Sequence, residues 1–213
     1  MAQKHIPSDI LALYDVFDYK HAAAILKHDF PKEYKEICDA LRNFRLTADN
    51  IKKAGGNESE MPKKLAKLLP LWKKQKLKIN QTATDQNGIV TTSNSSTHII
   101  DFFKNKVALD MEWNSKDQTY DRDLYAFRAF FEFGQIDIAI IVTRGKNLVS
   151  FFKSLGTYKK NGKTKAYAAK YGASTTHWGK LIPRLEGGRS GGCPVLAFGI
   201  TDKVIAKNIK KRV

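Results

Sequence analysis

The chain has 213 residues, with 37 Lys and Arg against 21 Asp and Glu, and a formal net charge of +16. Hydrophobic residues make up 42%, twelve of them Phe, which excludes a disordered chain and predicts one domain over 1–213 with a phosphate-rich or acidic-lipid partner. Cys38 and Cys193 are too few for a disulfide framework or a cysteine zinc site, and no signal-peptide run or membrane-length apolar stretch stands out, so a reduced cytoplasmic setting without membrane contact is expected.

Three parts are expected along the chain: a helical N-terminal part over about 8–77, a sheet core over about 78–200 and a basic tail over 201–213. Residues 8–44 read as helical, because Ala22, Ile25, Leu26, Tyr34, Ile37, Cys38 and Leu41 recur at helical spacing. Pro31 divides the stretch into two helices. A third helix is predicted over 47–54, capped by Thr47 and stopped by Gly55 and Gly56. A lysine-rich helix follows over 62–76. Then the period changes. Lys78–Thr84 and Ile89–Ser93 flank Asp85-Gln86-Asn87-Gly88, a hairpin signal. Two more strands are predicted at His98–Phe103 and Lys106–Trp113, turning at Lys104 and Asn105. Residues 119–133 form an amphipathic helix. Ile136–Val142 is apolar throughout, the pattern of a strand buried on both faces. Lys146–Leu155 reads as a helix, 157–170 as a basic loop, 174–185 as a short helix, 186–192 as a glycine-rich turn and 194–200 as a last buried strand. Helices flanking such strands make an α/β sandwich around a central sheet.

Asp101, Asp110 and Glu112 fall within one short stretch of this basic chain. Along the second of the two adjacent strands, Val107, Leu109, Met111 and Trp113 point one way into a core, and Ala108, Asp110, Glu112 and Asn114 point the other. Residues two apart on a strand are separated by roughly 6.6–7 Å, so two carboxylates there can address one small site. Antiparallel pairing of the two strands brings Asp101 opposite Asp110. Mg²⁺ takes oxygen ligands, commonly one or two carboxylates plus substrate phosphate. Asp101 and Asp110 suit that task, and the Met111 carbonyl can add a third ligand. Glu112 would hold or deprotonate the attacking water, or ligate a second metal. The alternative is the solvated polar face of an edge strand.

The sequence resembles the type II restriction endonucleases of the BglII/BstYI group and, more distantly, the BamHI kind. DFFKNKVALDMEW resembles that family's pattern of an acid, eight residues, acid-x-(Gln/Glu)-aromatic. YKHAAAILKHDFPKEYKEICDAL, FGQIDIAIIVTRG and RLEGGRSGGCPVLAFGI resemble other stretches of it in the same order. The resemblance implies a restriction-endonuclease-like α/β/α fold with a central mixed sheet, of the PD-(D/E)xK superfamily. It also implies a homodimer on double-stranded DNA and Mg²⁺-dependent cleavage of both strands of a short palindrome. The ends would carry 5′-phosphate and 3′-hydroxyl groups, with a GATC-centred target and four-base 5′ overhangs. Asp101 and Asp110 would be the metal-binding acids. The chain departs from the pattern where Asp110 replaces glutamate, Glu112 stands for the glutamine of BglII-like members and Ile100 precedes Asp101 in place of proline. Those departures keep a catalytically inactive DNA-binding protein with a degenerate nuclease fold as the alternative. A nuclease for RNA or structured DNA is a third reading.

Asn114, Ser115 and Lys116 follow the catalytic strand, where relatives contact DNA. Ser174, Thr175, Thr176 and His177 resemble a second recognition loop, or else cap a helix through Ser174 or Thr175. Arg144 and Lys146 end a buried strand and either reach phosphate or are solvated. The loop carrying Asn57, Glu58 and Ser59 is placed near DNA. His98 either faces the site or is structural. Lysines over 63–78 and 159–165 form two clusters that would line a DNA cleft and position the duplex without reading it.

Overall fold

The computed structural model describes residues 4–53, 60–78, 80–94 and 98–206. The loop over 54–59, with Asn57, Glu58 and Ser59, lies outside them, as does the tail beyond Ala206. In chain order the elements are α1 (Ser8–Leu13), β1 (Tyr14–Tyr19), α2 (Ala22–Asp29), α3 (Pro31–Asn43), α4 (Ala48–Lys52), α5 (Glu60–Leu68), β2 (Lys73–Leu77), β3 (Asn80–Thr84), β4 (Val90–Asn94), β5 (His98–Lys104) and β6 (Val107–Glu112). They continue with α6 (Thr119–Glu132), β7 (Ile138–Arg144), α7 (Leu148–Ser154), β8 (Thr157–Lys160), β9 (Lys163–Ala166), α8 (Trp178–Glu186) and β10 (Val195–Ile200).

Six strands form one mixed sheet in the order β1-β10-β7-β6-β5-β2. β10, β7 and β6 run parallel, and β1, β5 and β2 are antiparallel to their neighbours. One face buries Val107, Leu109, Met111, Ile140, Val142 and Phe198 against the N-terminal helices and α7. The other buries Ala108, Ala139, Ile141 and Ala197 against α6 and α8. This is the expected α/β/α sandwich. Strand β6 is interior to the sheet and buried along its whole length, so the reading of its acids as a solvated edge face is overturned.

Local chemistry fixes several elements as the sequence predicts. Pro31 starts α3. Thr47 caps α4 through a reciprocal pair with Asn50, each side-chain oxygen accepting from the other's backbone N–H at 3.2 and 3.0 Å. Asn105 and Lys106 take positive φ (46° and 66°) and close the β5–β6 hairpin one residue later than expected. Asp85 Oδ1 accepts from the N–H groups of Asn87 and Ile89 in the turn between β3 and β4.

Three expectations need correction. Tyr14–Tyr19 is a strand, not helix, because it pairs with β10 at the far end of the sequence. Its polar residues are used locally: Asp18 accepts from Ala23 N–H at the start of α2, and Asp15 from Lys146 N–H. Residues 73–77 leave the predicted lysine-rich helix and pair with β5 as an edge strand, Pro70 separating the two. The basic loop over 157–170 is a hairpin, β8–β9, followed by a 3₁₀ turn at Tyr167–Tyr171.

β1, β10, β7 and α8 meet at one tight point. A Cβ on Gly199 would lie 2.6 Å from Trp178 Cε3, and 3.0 Å from both Asp15 Cβ and Gly145 Cα. None of these is the end of a flexible chain. We predict that Gly199→Ala destabilises the fold by about 1–3 kcal/mol through overpacking, seen as a lower midpoint in urea unfolding. An unchanged midpoint would contradict this packing.

Candidate active site

The site is built where the β5–β6 ladder stops. Backbone pairing runs through Lys104↔Val107, Phe103↔Ala108 and Phe102↔Leu109. At the next step Asp101 N–H donates to the Asp110 side chain, at Oδ1, over 2.8 Å. Asp101 therefore lies opposite Asp110, as the hairpin reading requires. Asp110 Oδ2 sits 3.1 Å from His98 Nε2, and both residues are buried. Phe127 and Phe130 on α6 pack against the His98 ring, the first in a T-shaped pair and the second tilted.

Among the described residues, His98, Asp110 and Asp123 each offer a ligand atom within 4.8 Å of the others, a group able to hold a metal ion. Asp101 and Glu112 are outside that trio. Asp101 is half-buried near Pro62, Trp72 and Lys74. Glu112 lies one alternation further along β6, and its Oε2 is buried without a hydrogen-bond partner among the described residues. The same holds for Asp123 Oδ2. Its other oxygen, Oδ1, accepts from Arg122 at 3.0 and 3.2 Å. Burial of such oxygens is costly unless something satisfies them, and a divalent cation would do so for this donor set.

Burial is the leading cause of the perturbed titrations here. It pushes Glu112 up to about 8, with the neighbouring Asp123, Asp110 and Asp101 raising it further and Ser115 opposing. It pushes Asp123 up to about 7, with Asp110 adding to the rise and Arg122 and His98 opposing. For His98, burial favours the neutral ring, but the Asp110 carboxylate prevails and raises the imidazole above its ordinary value. The pocket thus gathers more acid than its own cations neutralise.

Two loops expected at DNA are joined to each other. Thr176 N–H donates to Ser115 O at 2.8 Å, and Asp117 N–H to Ser174 O at 3.0 Å, with a bridge between Lys116 and Thr175. Asn114, Ser115, Lys116, Ser174 and Lys146 are exposed. Arg144 and Thr176 are buried, which overturns the alternative that Arg144 is merely solvated. The Arg144 guanidinium donates to Thr176 O and Thr175 Oγ1 and lies over the Phe152 and Tyr171 rings. It is an internal strut for the 174–176 loop. His177, rather than Ser174 or Thr175, caps α8, its Nδ1 accepting from Gly179 N–H.

The sequence reading did not single out Asp123. Its signal was present, because an acid interrupts the apolar stripe Tyr120, Leu124, Phe127, Phe130 that α6 turns to the sheet. The same pocket yields a stability prediction. A buried carboxylate with a raised pKa binds its proton more tightly folded than unfolded, so stability falls as pH rises from the ordinary 4.5 through about 8. Without metal, Glu112→Gln should match wild type in thermal unfolding near pH 5 and exceed it increasingly toward pH 8. A variant that tracks wild type at every pH would contradict the assignment.

The chain matches the family described as restriction endonuclease BglII/BglIII over residues 14–200, from the first residue of β1 to the last of β10. The match spans all six strands of the main sheet and the whole acidic pocket, and the sandwich is consistent with a restriction-endonuclease-like fold. No curated protein matches the chain. The chain belongs to the restriction endonuclease BglII/BglIII family and is a type II site-specific endodeoxyribonuclease.

Proposed function

We propose that the protein is a Mg²⁺-dependent enzyme that hydrolyses one phosphodiester bond in each strand of a short palindrome in duplex DNA, leaving 5′-phosphate and 3′-hydroxyl ends. The observation that carries this reading is the placement of Asp110. Its carboxylate is buried on an interior strand, fixed by a backbone N–H and an imidazole, beside unpartnered carboxylate oxygens. A Mg²⁺ ion held there would stabilise charge developing on the phosphate.

Asp101 and Asp110 are the proposed ligands, with the Met111 carbonyl. The Met111 side chain packs into the core, so only its main chain is available to the site. Glu112 orients the attacking water and accepts its proton at Oε2, which has no hydrogen-bond partner among the described residues. Asn114, Ser115, Lys116 and Ser174 face DNA from the joined loops, with Thr175, His177 and Lys146 at their margin. Arg144 and Thr176 support that surface from within. Lys159, Lys160, Lys163 and Lys165 on the exposed β8–β9 hairpin contact phosphates and give binding that weakens with salt.

A homodimer supplies one site per strand of a two-fold target. The GATC-centred sequence and four-base 5′ overhangs rest on the family resemblance alone. No helix among the described residues is long and apolar enough to cross a membrane, and we place the enzyme with DNA in the cytoplasm.

Asp110→Asn tests the reading while keeping the Oδ1 acceptor for Asp101 N–H. Cation stabilisation is worth several kcal/mol, so cleavage should fall by about 10²–10³-fold or more, with duplex binding nearly unchanged. Cleavage at the wild-type rate would overturn the site assignment. Specific binding by wild type without cleavage under any divalent metal would favour the degenerate DNA-binding protein.

A further inference from the structure

We infer that His98, Asp110 and Asp123 form a buried site for a divalent transition-metal ion, distinct from the proposed Mg²⁺ position between Asp101 and the Met111 carbonyl. The ligand atoms come from three elements, β5, β6 and α6, and lie within 4.8 Å of one another. Donors around one ion at about 2.0–2.2 Å are separated by at most roughly 4.4 Å, so small side-chain rotations suffice.

Asp123 carries the argument. It is 1% exposed, and its Oδ2 has no hydrogen-bond partner among the described residues. Leaving a buried charged-group oxygen unpaired is costly. Arg122 leaves it unpaired, because both of its contacts go to Oδ1. His98 serves as countercharge to Asp110 at 3.1 Å, yet Oδ2 of Asp123 remains unpaired. A purely structural imidazole therefore does not account for the cluster. A cation among the three does.

The donor chemistry sets the class of ion. Mg²⁺ favours oxygen ligands in near-ideal octahedral geometry. An imidazole beside two carboxylates suits Mn²⁺, Co²⁺ or Zn²⁺ better. Asp110 can serve both sites, since Oδ1 faces the Asp101 backbone and Oδ2 faces His98. The inference rests on the endonuclease reading only through that shared carboxylate.

Its test needs no DNA. Metal-free protein is titrated with Co²⁺ and followed by visible d–d absorption. Wild type and Asp101→Asn should develop the same band. His98→Gln and Asp123→Asn should bind Co²⁺ more weakly, by at least the roughly 10–100-fold that loss of an outer-shell partner costs. Thermal unfolding checks that each variant folds. It also gives a reading on wild type alone, where Mn²⁺ should raise the melting temperature more than equal Mg²⁺. No Co²⁺ band in wild type would overturn the inference, as would a band lost in Asp101→Asn but kept in Asp123→Asn. That second pattern would place the ion on the Asp101 side and leave the endonuclease reading intact. A protein that takes Co²⁺ through His98 and Asp123 yet cuts no DNA would separate the two in the opposite sense.

Discussion

Everything at the site depends on one substitution in the sheet's own hydrogen bonding. At the end of the β5–β6 ladder, a side-chain carboxylate takes the place of a backbone acceptor, so Asp110 receives the Asp101 N–H. The carboxylate is thereby fixed inside the sheet as firmly as a strand carbonyl. A buried acid normally loses more in solvation than it gains in contacts. Here the cost is shared with His98 on one side and with the backbone on the other. The remaining imbalance falls on Glu112 and Asp123, each of which has a buried oxygen without a hydrogen-bond partner among the described residues, beside a group able to hold a metal ion. Such preorganised charge is what phosphodiester hydrolysis asks of a protein.

The same region orders the surface that would meet DNA. β6 and β7 are parallel neighbours, with Glu112 opposite Thr143. Thr143 Oγ1 donates to Glu112 O at 2.7 Å and pairs with Tyr120 OH at 2.6 Å. The next residue, Arg144, braces the 174–176 loop from beneath. Glu112 and the 174–176 loop thus both rest on consecutive residues of one buried strand. A shift of β7 would move both together, so under the proposed function it would tie positioning of the duplex to positioning of the chemistry.

Much of this was legible in the sequence. The β6 alternation, the turn after β5 and the Asp101–Asp110 juxtaposition follow from period-2 patterning and a short hairpin. The apolar run of β7 announced its burial. What escaped was non-local. Tyr14–Tyr19 is a strand only because Val195–Ile200 lies beside it, and no local signal records that pairing. Lys73–Leu77 lacks apolar alternation because it is an edge strand with exposed lysines. Arg144 looked like a free cation because its Phe152 and Tyr171 partners come later in the chain. His98 joins Asp110 through strand register and Asp123 through packing of α6, a meeting that spacing along one strand does not reveal.

The most direct test of the account is digestion of unmethylated plasmid and phage DNA with purified protein, in Mg²⁺ and in EDTA, followed by sequencing of the fragment ends. The account predicts discrete fragments in Mg²⁺ alone, all ending at one shared palindrome. Intact DNA in Mg²⁺, or fragments with unrelated ends, would contradict it.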